Sequence, residues 1–343
     1  MTTNNPIGLK DIAFLEFSAD ADFNMGALFE KFGFSKLFQH KSGKVDAFKQ
    51  NDIVFLVNEG DGFAGHFRTT HGPSASGMGM FVEDAKFAYE ESIKRGARAF
   101  DPTESTKAAY NLPAIYGIGD SLIYFVDNPT EFFEAEFKDH ANPTVVPDKG
   151  FHTIDHLTNN VMKGTLIQWA DFYKNIFGFT EVRYFDIRGD ETGLLSYALR
   201  SPDGSFCIPI NEGTEAKSQI EEYLREYKGP GIQHIALATE SLLDSLDQME
   251  GTGVNFLDID DEYYDTVYNR VPNVTEDHAR IKKHNVLVDG DEEGYLLQIF
   301  THNAVGPIFF ELIQRKNHLA FGEGNFGALF RSIERDQRRR GVL

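Results

Sequence analysis

Three residues set the chemical question: His156 in "IDHLTN", His234 in "IQHIAL" and Glu311 in "FFELIQR". They lie 78 and 77 residues apart, so one potential ligand recurs at each interval. Two neutral imidazoles and a carboxylate on one face suit non-haem Fe(II), with positions left open for substrate and oxygen. Glu311 also needs a partner. Alternation in "GPIFFELIQR" places Phe309, Glu311 and Ile313 on one strand face and Phe310 and Leu312 on the other, and neither face reads as solvated. A lone buried carboxylate would cost on the order of several kcal/mol, so an Arg, a Lys or a metal has to neutralise it. A single strand histidine is more often an ordinary core or surface residue, and a single strand Glu can guard an edge against aggregation. The recurrence of all three is the signal. The remaining histidines fall mostly in polar or loop-like stretches; His152, four residues before His156, precedes the strand.

The elements that would position these residues form a repeat. "IAFLEFSADADFNMGALFEKFGFSKL" and "IDHLTNNVMKGTLIQWADFYKNIFGFTEV" each read as a strand, an apolar-striped helix, a Gly-Phe stop and a second strand. Residues 77–100 and 231–257 follow the same plan, and "SLIYFVD", "HNVLV" and "GYLLQIF" supply further strands. The four units fall into two pairs, each expected to close a curved sheet around a cup. The aperiodic, proline-containing "DHANPTVVPDKG" (139–150) reads as the connection between them. Residues 327–340 have the composition of an amphipathic C-terminal helix. In the first pair the places matching His156, His234 and Glu311 read as Phe14, Met80 and Tyr124 or a neighbour, which cannot bind an ion. That pair is expected to be scaffold or oligomer surface.

Composition narrows the classes. A chain of 343 residues fits two domains, and 41% hydrophobic residues with 31 phenylalanines point to a globular protein with an aromatic interior or pocket. A net charge of −20 argues against nucleic acid as a partner. The single cysteine, Cys207, allows no intramolecular disulfide and fits a reduced compartment. No apolar stretch approaches membrane-spanning length, and "MTTNNPIGLKD" has neither a basic n-region nor an apolar h-region, so a cytoplasmic protein is expected.

The stretches "GFHTIDHLTNNV", "GPGIQHIAL", "GYLLQIFT", "FFELIQR" and "FGEGNFGALFRSIE" together resemble the 4-hydroxyphenylpyruvate dioxygenases. The resemblance implies an α+β chain of the vicinal oxygen chelate, glyoxalase-like fold, with paired βαβββ modules in open, barrel-like curved sheets. Residues 1–140 would be the pair without metal ligands. Residues 150–343 would be the catalytic pair with a C-terminal lid helix. It implies that His156, His234 and Glu311 bind one Fe(II) per subunit and carry catalysis. The implied reaction takes 4-hydroxyphenylpyruvate and O2 to homogentisate and CO2, in tyrosine and phenylalanine catabolism. Substrate contacts carried over by the resemblance are Ser196, Asn211, Gln219, Gln298, Phe300, Phe309, Phe321, Asn325 and Phe326. Gln233 matches a site residue too, although simple alternation turns it away from His234. A homo-oligomer, dimer or tetramer, is expected.

Three other readings remain open. 4-Hydroxymandelate synthase shares fold, iron and substrate; as those families are understood, Pro209 and Asn211 in "CIPIN" favour the dioxygenase. A ring-cleaving dioxygenase or glyoxalase-like isomerase would have no reason to carry the "GNFGALFRSIE" tail. A metal-free protein could use the cup to sequester an aromatic ligand.

Overall fold

In the computed structural model, which describes residues 5–189 and 191–342, the sequence repeats become two eight-stranded mixed sheets. The N-terminal sheet holds β1 (Leu9–Ser18), β2 (Ser35–His40), β3 (Val45–Gln50), β4 (Ile53–Asn58), β5 (Ser74–Val82), β6 (Ala114–Tyr116), β7 (Leu122–Val126) and β8 (Phe137–Thr144). The C-terminal sheet holds β9 (Phe151–Val161), β10 (Thr180–Arg188), β11 (Gly193–Arg200), β12 (Cys207–Gly213), β13 (Gly231–Thr239), β14 (Leu287–Gly290), β15 (Tyr295–Phe300) and β16 (Phe309–Lys316). Their spatial orders are β6-β7-β5-β1-β4-β3-β2-β8 and β10-β11-β12-β9-β13-β16-β15-β14. Reversing the second lays β15, β16, β13, β9, β12, β11 and β10 over β6, β7, β5, β1, β4, β3 and β2. The two sheets therefore share one plan.

They differ at the edges. The counterpart of β14 shrinks to a single bridge between Ala99 and Ile115, and β8 instead pairs with β2 at the opposite edge. Residues 139–144, read from composition as connection, thus belong to a strand. An edge strand pairs on one side only, so it tolerates Pro143 and shows no apolar alternation.

Local chemistry accounts for the helices. Leu166–Phe172 runs into a π turn, Tyr173–Phe177, and ends at Gly178 with φ +77°, the left-handed cap that glycine adopts without a Cβ penalty. The C-terminal helix spans Phe326–Arg340, one residue longer than the composition suggests. Phe310, facing away from Glu311, packs at 4.8 Å on Phe32 and near Phe55, so β16 is buried on both faces and the two halves share a core. No helix among the described residues is long and apolar enough to cross a membrane.

Candidate metal centre

His156 on β9, His234 on β13 and Glu311 on β16 come together because these three strands are neighbours. Ala236 of β13 pairs with His156 on one side and with Glu311 on the other. The His156 and His234 Nε2 atoms are 3.3 Å apart, and Glu311 Oε2 lies 3.0 Å from the first and 3.4 Å from the second. Donors about 2.1 Å from one ion, roughly at right angles, stand about 3 Å from each other. The three atoms have the spacing of one face of an octahedral site. All three are N or O donors with burial that admits little water, so the residues fit a divalent transition metal.

The charge question raised by Glu311 is answered here. Its ion-pair partners among the described residues are the two histidines; Arg315, on the same strand face, pairs with Asp155 instead. Burial lowers the pKa of His234. It opposes protonation of His156 as well, but the Glu311 charge and hydrogen bonds to Asp155 and Glu311 overcome it and raise that pKa to about 9. Glu311 drops to about 2, because the His156 charge and bonds from both histidines outweigh burial. A cation bound by these three atoms would displace the proton that His156 holds against Glu311. In a second group, Asp247, Glu250 and His284, the two acids are exposed and already paired with Arg280 and Lys283, and the half-buried His284 pairs with Asp247.

A cavity of about 90 Å³ opens directly on the three donors, room for a few waters or part of a small ligand. Phe309 stacks on the His234 ring at 4.8 Å, Phe300 meets it edge-on at 6.2 Å, and Phe321 meets His156 edge-on at 5.8 Å. Phe326, the first residue of the C-terminal helix, faces Phe185 at 5.4 Å. Ser196, Asn211, Gln219, Gln233 and Gln298 supply the polar lining. Asn325 does not reach the cavity. It is fully buried, accepts from Tyr263 Oη at 2.7 Å and lies behind Gln298, with its Nδ2 3.5 Å from Gln298 Oε1.

Gln233 corrects the alternation argument. Between Ile232, opposite Asn159, and His234, opposite Thr158, β13 carries one extra residue. This β-bulge turns two successive side chains to one face, and Gln233 Oε1 comes 3.0 Å from His234 Nδ1. Thr158, Phe185, Leu194, Leu329 and Phe330 also line the cavity and were not legible as site residues. Only the helix Phe326–Arg340 folding back brings the last two there. That helix is fastened by Ser332 Oγ to the Asp258 carbonyl at 2.7 Å. The Glu334 carboxylate accepts from the backbone N–H of Glu191 and Thr192.

The N-terminal sheet shows the same point without donors. Gly79 pairs with Phe14 on one side and Tyr124 on the other, as Ala236 does with His156 and Glu311. By this register the counterpart of His234 is Gly77, two residues before Gly79, and not Met80. Phe14, Tyr110, Tyr124 and Phe132 fill the cup with rings 5.4–5.9 Å apart. A larger hollow of about 640 Å³ in this half is lined by other residues, among them Phe38, Phe133 and Phe137, and its lining has no His or Cys.

Comparison with known proteins follows the same division. Residues 3–138 match the family described as "Hydroxyphenylpyruvate dioxygenase, HPPD, N-terminal", and residues 153–299 match the "Glyoxalase/Bleomycin resistance protein/Dioxygenase superfamily". The chain is 46% identical to a 4-hydroxyphenylpyruvate dioxygenase of Legionella pneumophila, over 100% of this chain and 99% of that one. The chain belongs to the 4-hydroxyphenylpyruvate dioxygenase family. It is also 58% identical to Protein MelA of Shewanella colwelliana over 99% of both chains. A solved structure of a triple mutant of 4-hydroxymandelate synthase from Streptomyces coelicolor superposes with a TM-score of 0.81 at 25% identity, covering 97% of this chain and 100% of that one. The dioxygenase family thus accounts for both halves, and the vicinal oxygen chelate fold for their shared plan.

Proposed function

We propose that this chain is a non-haem Fe(II) dioxygenase that converts 4-hydroxyphenylpyruvate and O2 to homogentisate and CO2, in the catabolism of tyrosine and phenylalanine. The carrying observation is the convergence of His156 Nε2, His234 Nε2 and Glu311 Oε2 within 3.0–3.4 Å at the floor of an aromatic cavity, in a chain of this family. Iron held there, one per subunit, supplies the redox chemistry for O2 and open positions for an oxo acid. The substrate carries its own 2-oxo acid, so no separate one is consumed. One oxygen atom ends on the ring, the other in the new carboxylate, and the old carboxyl leaves as CO2 while the side chain migrates.

The protein's share is placement and exclusion of water. Phe300, Phe309, Phe321 and Phe326 form the slot for the phenyl ring, each good ring pair worth about 0.5–1.5 kcal/mol. Ser196, Asn211, Gln219, Gln233 and Gln298 offer the hydroxyl and amide groups that orient the phenol and acid oxygens. Asn325 acts from behind, holding Gln298. The helix Phe326–Arg340 serves as the lid that keeps reactive species from solvent. The N-terminal half is scaffold and the surface for a dimer or tetramer, and the cytoplasm is the expected location.

The likeness to 4-hydroxymandelate synthase supports one second reading, benzylic hydroxylation of the same substrate. Pro209 and Asn211 both line the cavity, so the strand that bears on this choice faces the substrate position. Anaerobic loading with Fe(II), followed by 4-hydroxyphenylpyruvate and air, decides. Homogentisate is the expected product; hydroxymandelate would install the second reading, and binding without any product would reduce the protein to an aromatic-ligand carrier.

A further inference from the structure

Both candidate metal-ligating histidines follow a β-bulge. On β9 the pairing steps from Ile154 opposite Leu237 to His156 opposite Ala236, so Asp155 is the extra residue, as Gln233 is on β13. Regular alternation would point Asp155 to the far face. The bulge turns it beside its neighbour instead, and its Oδ2 lies 2.7 Å from His156 Nδ1. A carboxylate can only accept, so Nδ1 donates to Asp155, and when a cation displaces the proton that Nε2 shares with Glu311 the lone pair is freed on Nε2.

Asp155 is itself gripped. Arg315 Nε donates to Asp155 Oδ1 at 2.7 Å and Nη2 to Oδ2 at 2.8 Å, a two-pronged contact only a planar guanidinium makes. Its remaining Nη1 donates to the His318 and Ala320 carbonyls at 3.1 and 2.6 Å. Those carbonyls belong to the loop that delivers Phe321, whose ring meets His156 edge-on. Arg315 lies four residues after Glu311 on the same face of β16. One side chain thus touches the second layer behind His156 and the backbone of the segment that covers the cavity.

We propose that Asp155 and Arg315 are positioning residues: Asp155 fixes the tautomer and ring orientation in which His156 binds the metal, and Arg315 couples that pose to the loop carrying Phe321. The inference rests on the reading of this site as an Fe(II) centre. Second-layer partners of metal-bound histidines typically change metal affinity by about 10–100-fold.

The test is metal titration of the apo protein with Fe(II) under anaerobic conditions and with Co(II), against a competing chelator, for wild type, D155N and R315K. Thermal melts of the apo proteins run alongside. D155N is expected to bind about 10–100-fold more weakly, with a shifted Co(II) visible spectrum. R315K, which keeps the charge and loses the fork, is expected to weaken binding less and, when metal-saturated, to raise KM more than it lowers kcat. Wild-type affinity and spectrum in D155N would overturn the proposal. If D155N does not fold, R315K decides, and unchanged metal affinity and KM in that variant would equally overturn it. A wild-type protein that takes up no metal would overturn the site reading and this inference together, and the wild-type titration shows that separately from the variants.

Discussion

Where the C-terminal sheet sets His156, Ala236 and Glu311 side by side across three strands, the N-terminal sheet sets Phe14, Gly79 and Tyr124. The correspondence extends to the irregularities. Ala13 is the extra residue on β1 where Asp155 is on β9, and Ser76 the extra residue on β5 where Gln233 is on β13. Even Glu16, the buried carboxylate of the first cup, occupies the place of Thr158, and it is held by Ser76 Oγ at 2.8 Å and Asn58 Nδ2 at 3.1 Å. Backbone geometry that re-aims side chains is therefore common to both cups and does not by itself make a metal site. What differs is the chemistry placed on it. One cup has imidazoles with acceptors behind them and a cavity; the other has rings packed to fill the same volume. Gly79 belongs to that filling, since a Cβ there would come within 2.4 Å of the Phe14 ring.

The comparison can be broken most sharply at its centre. H156A and E311A should each abolish metal uptake and turnover, measured by iron content and homogentisate formation. The matching change F14A should leave both intact in the folded protein. Removing residues 326–343 comes next: the donors remain, so metal should still bind, while oxygen uptake coupled to product should be lost. Unchanged turnover would show that the helix is not a lid. F14A itself should destabilise the protein by about 3–5 kcal/mol, as a large ring leaving a packed core does, measured by denaturant unfolding of the metal-free protein.

Two pH effects sharpen the contrast further. In the metal-free C-terminal cup His156 keeps its proton up to about pH 9, so metal must displace it. Metal affinity should then rise with pH, about tenfold per unit below 9, and level off above it; isothermal titration in buffers of different ionisation heat would count the released proton. In the N-terminal cup, burial raises the Glu16 pKa above the ordinary carboxylate value, with the Ser76 and Asn58 bonds only partly opposing it. A raised folded pKa favours the protonated fold, so this contribution is complete below about pH 4.5 and is lost as pH rises through the folded value. E16Q should remove that loss, giving a variant more stable than wild type at neutral pH by the smallest margin of these tests.

The three candidate donors were legible as a group because their recurrence matches the module length, which a strand histidine in isolation does not, and the fold brings them together. The aromatic lining was legible where parity with a ligand held, as for Phe309 and Glu311. Reading failed at the bulges. An extra residue breaks the period of two without leaving a sequence mark, which is why Gln233 was turned the wrong way and Met80 took the place of Gly77. The contact of Asp155 and Arg315 behind His156 was not read although both signals were present, an acid directly before a candidate donor and a cation in register with Glu311. The edge strand β8 lacks periodicity because one side of it meets water. The approach of Leu329 and Phe330 to the cavity depends on how the last helix folds back, which no local pattern records.

Because Phe310 rests against Phe32 and Phe55 while its neighbour Glu311 faces the two histidines, strand β16 is a party wall between the two halves. Cutting the chain near residue 148 to isolate the portion that holds the donor cluster would strip one side of that wall and leave large rings facing solvent. The half without the donor cluster is thus a structural support for the half that has it, and efforts to shrink or transplant the cluster must carry a substitute for that support.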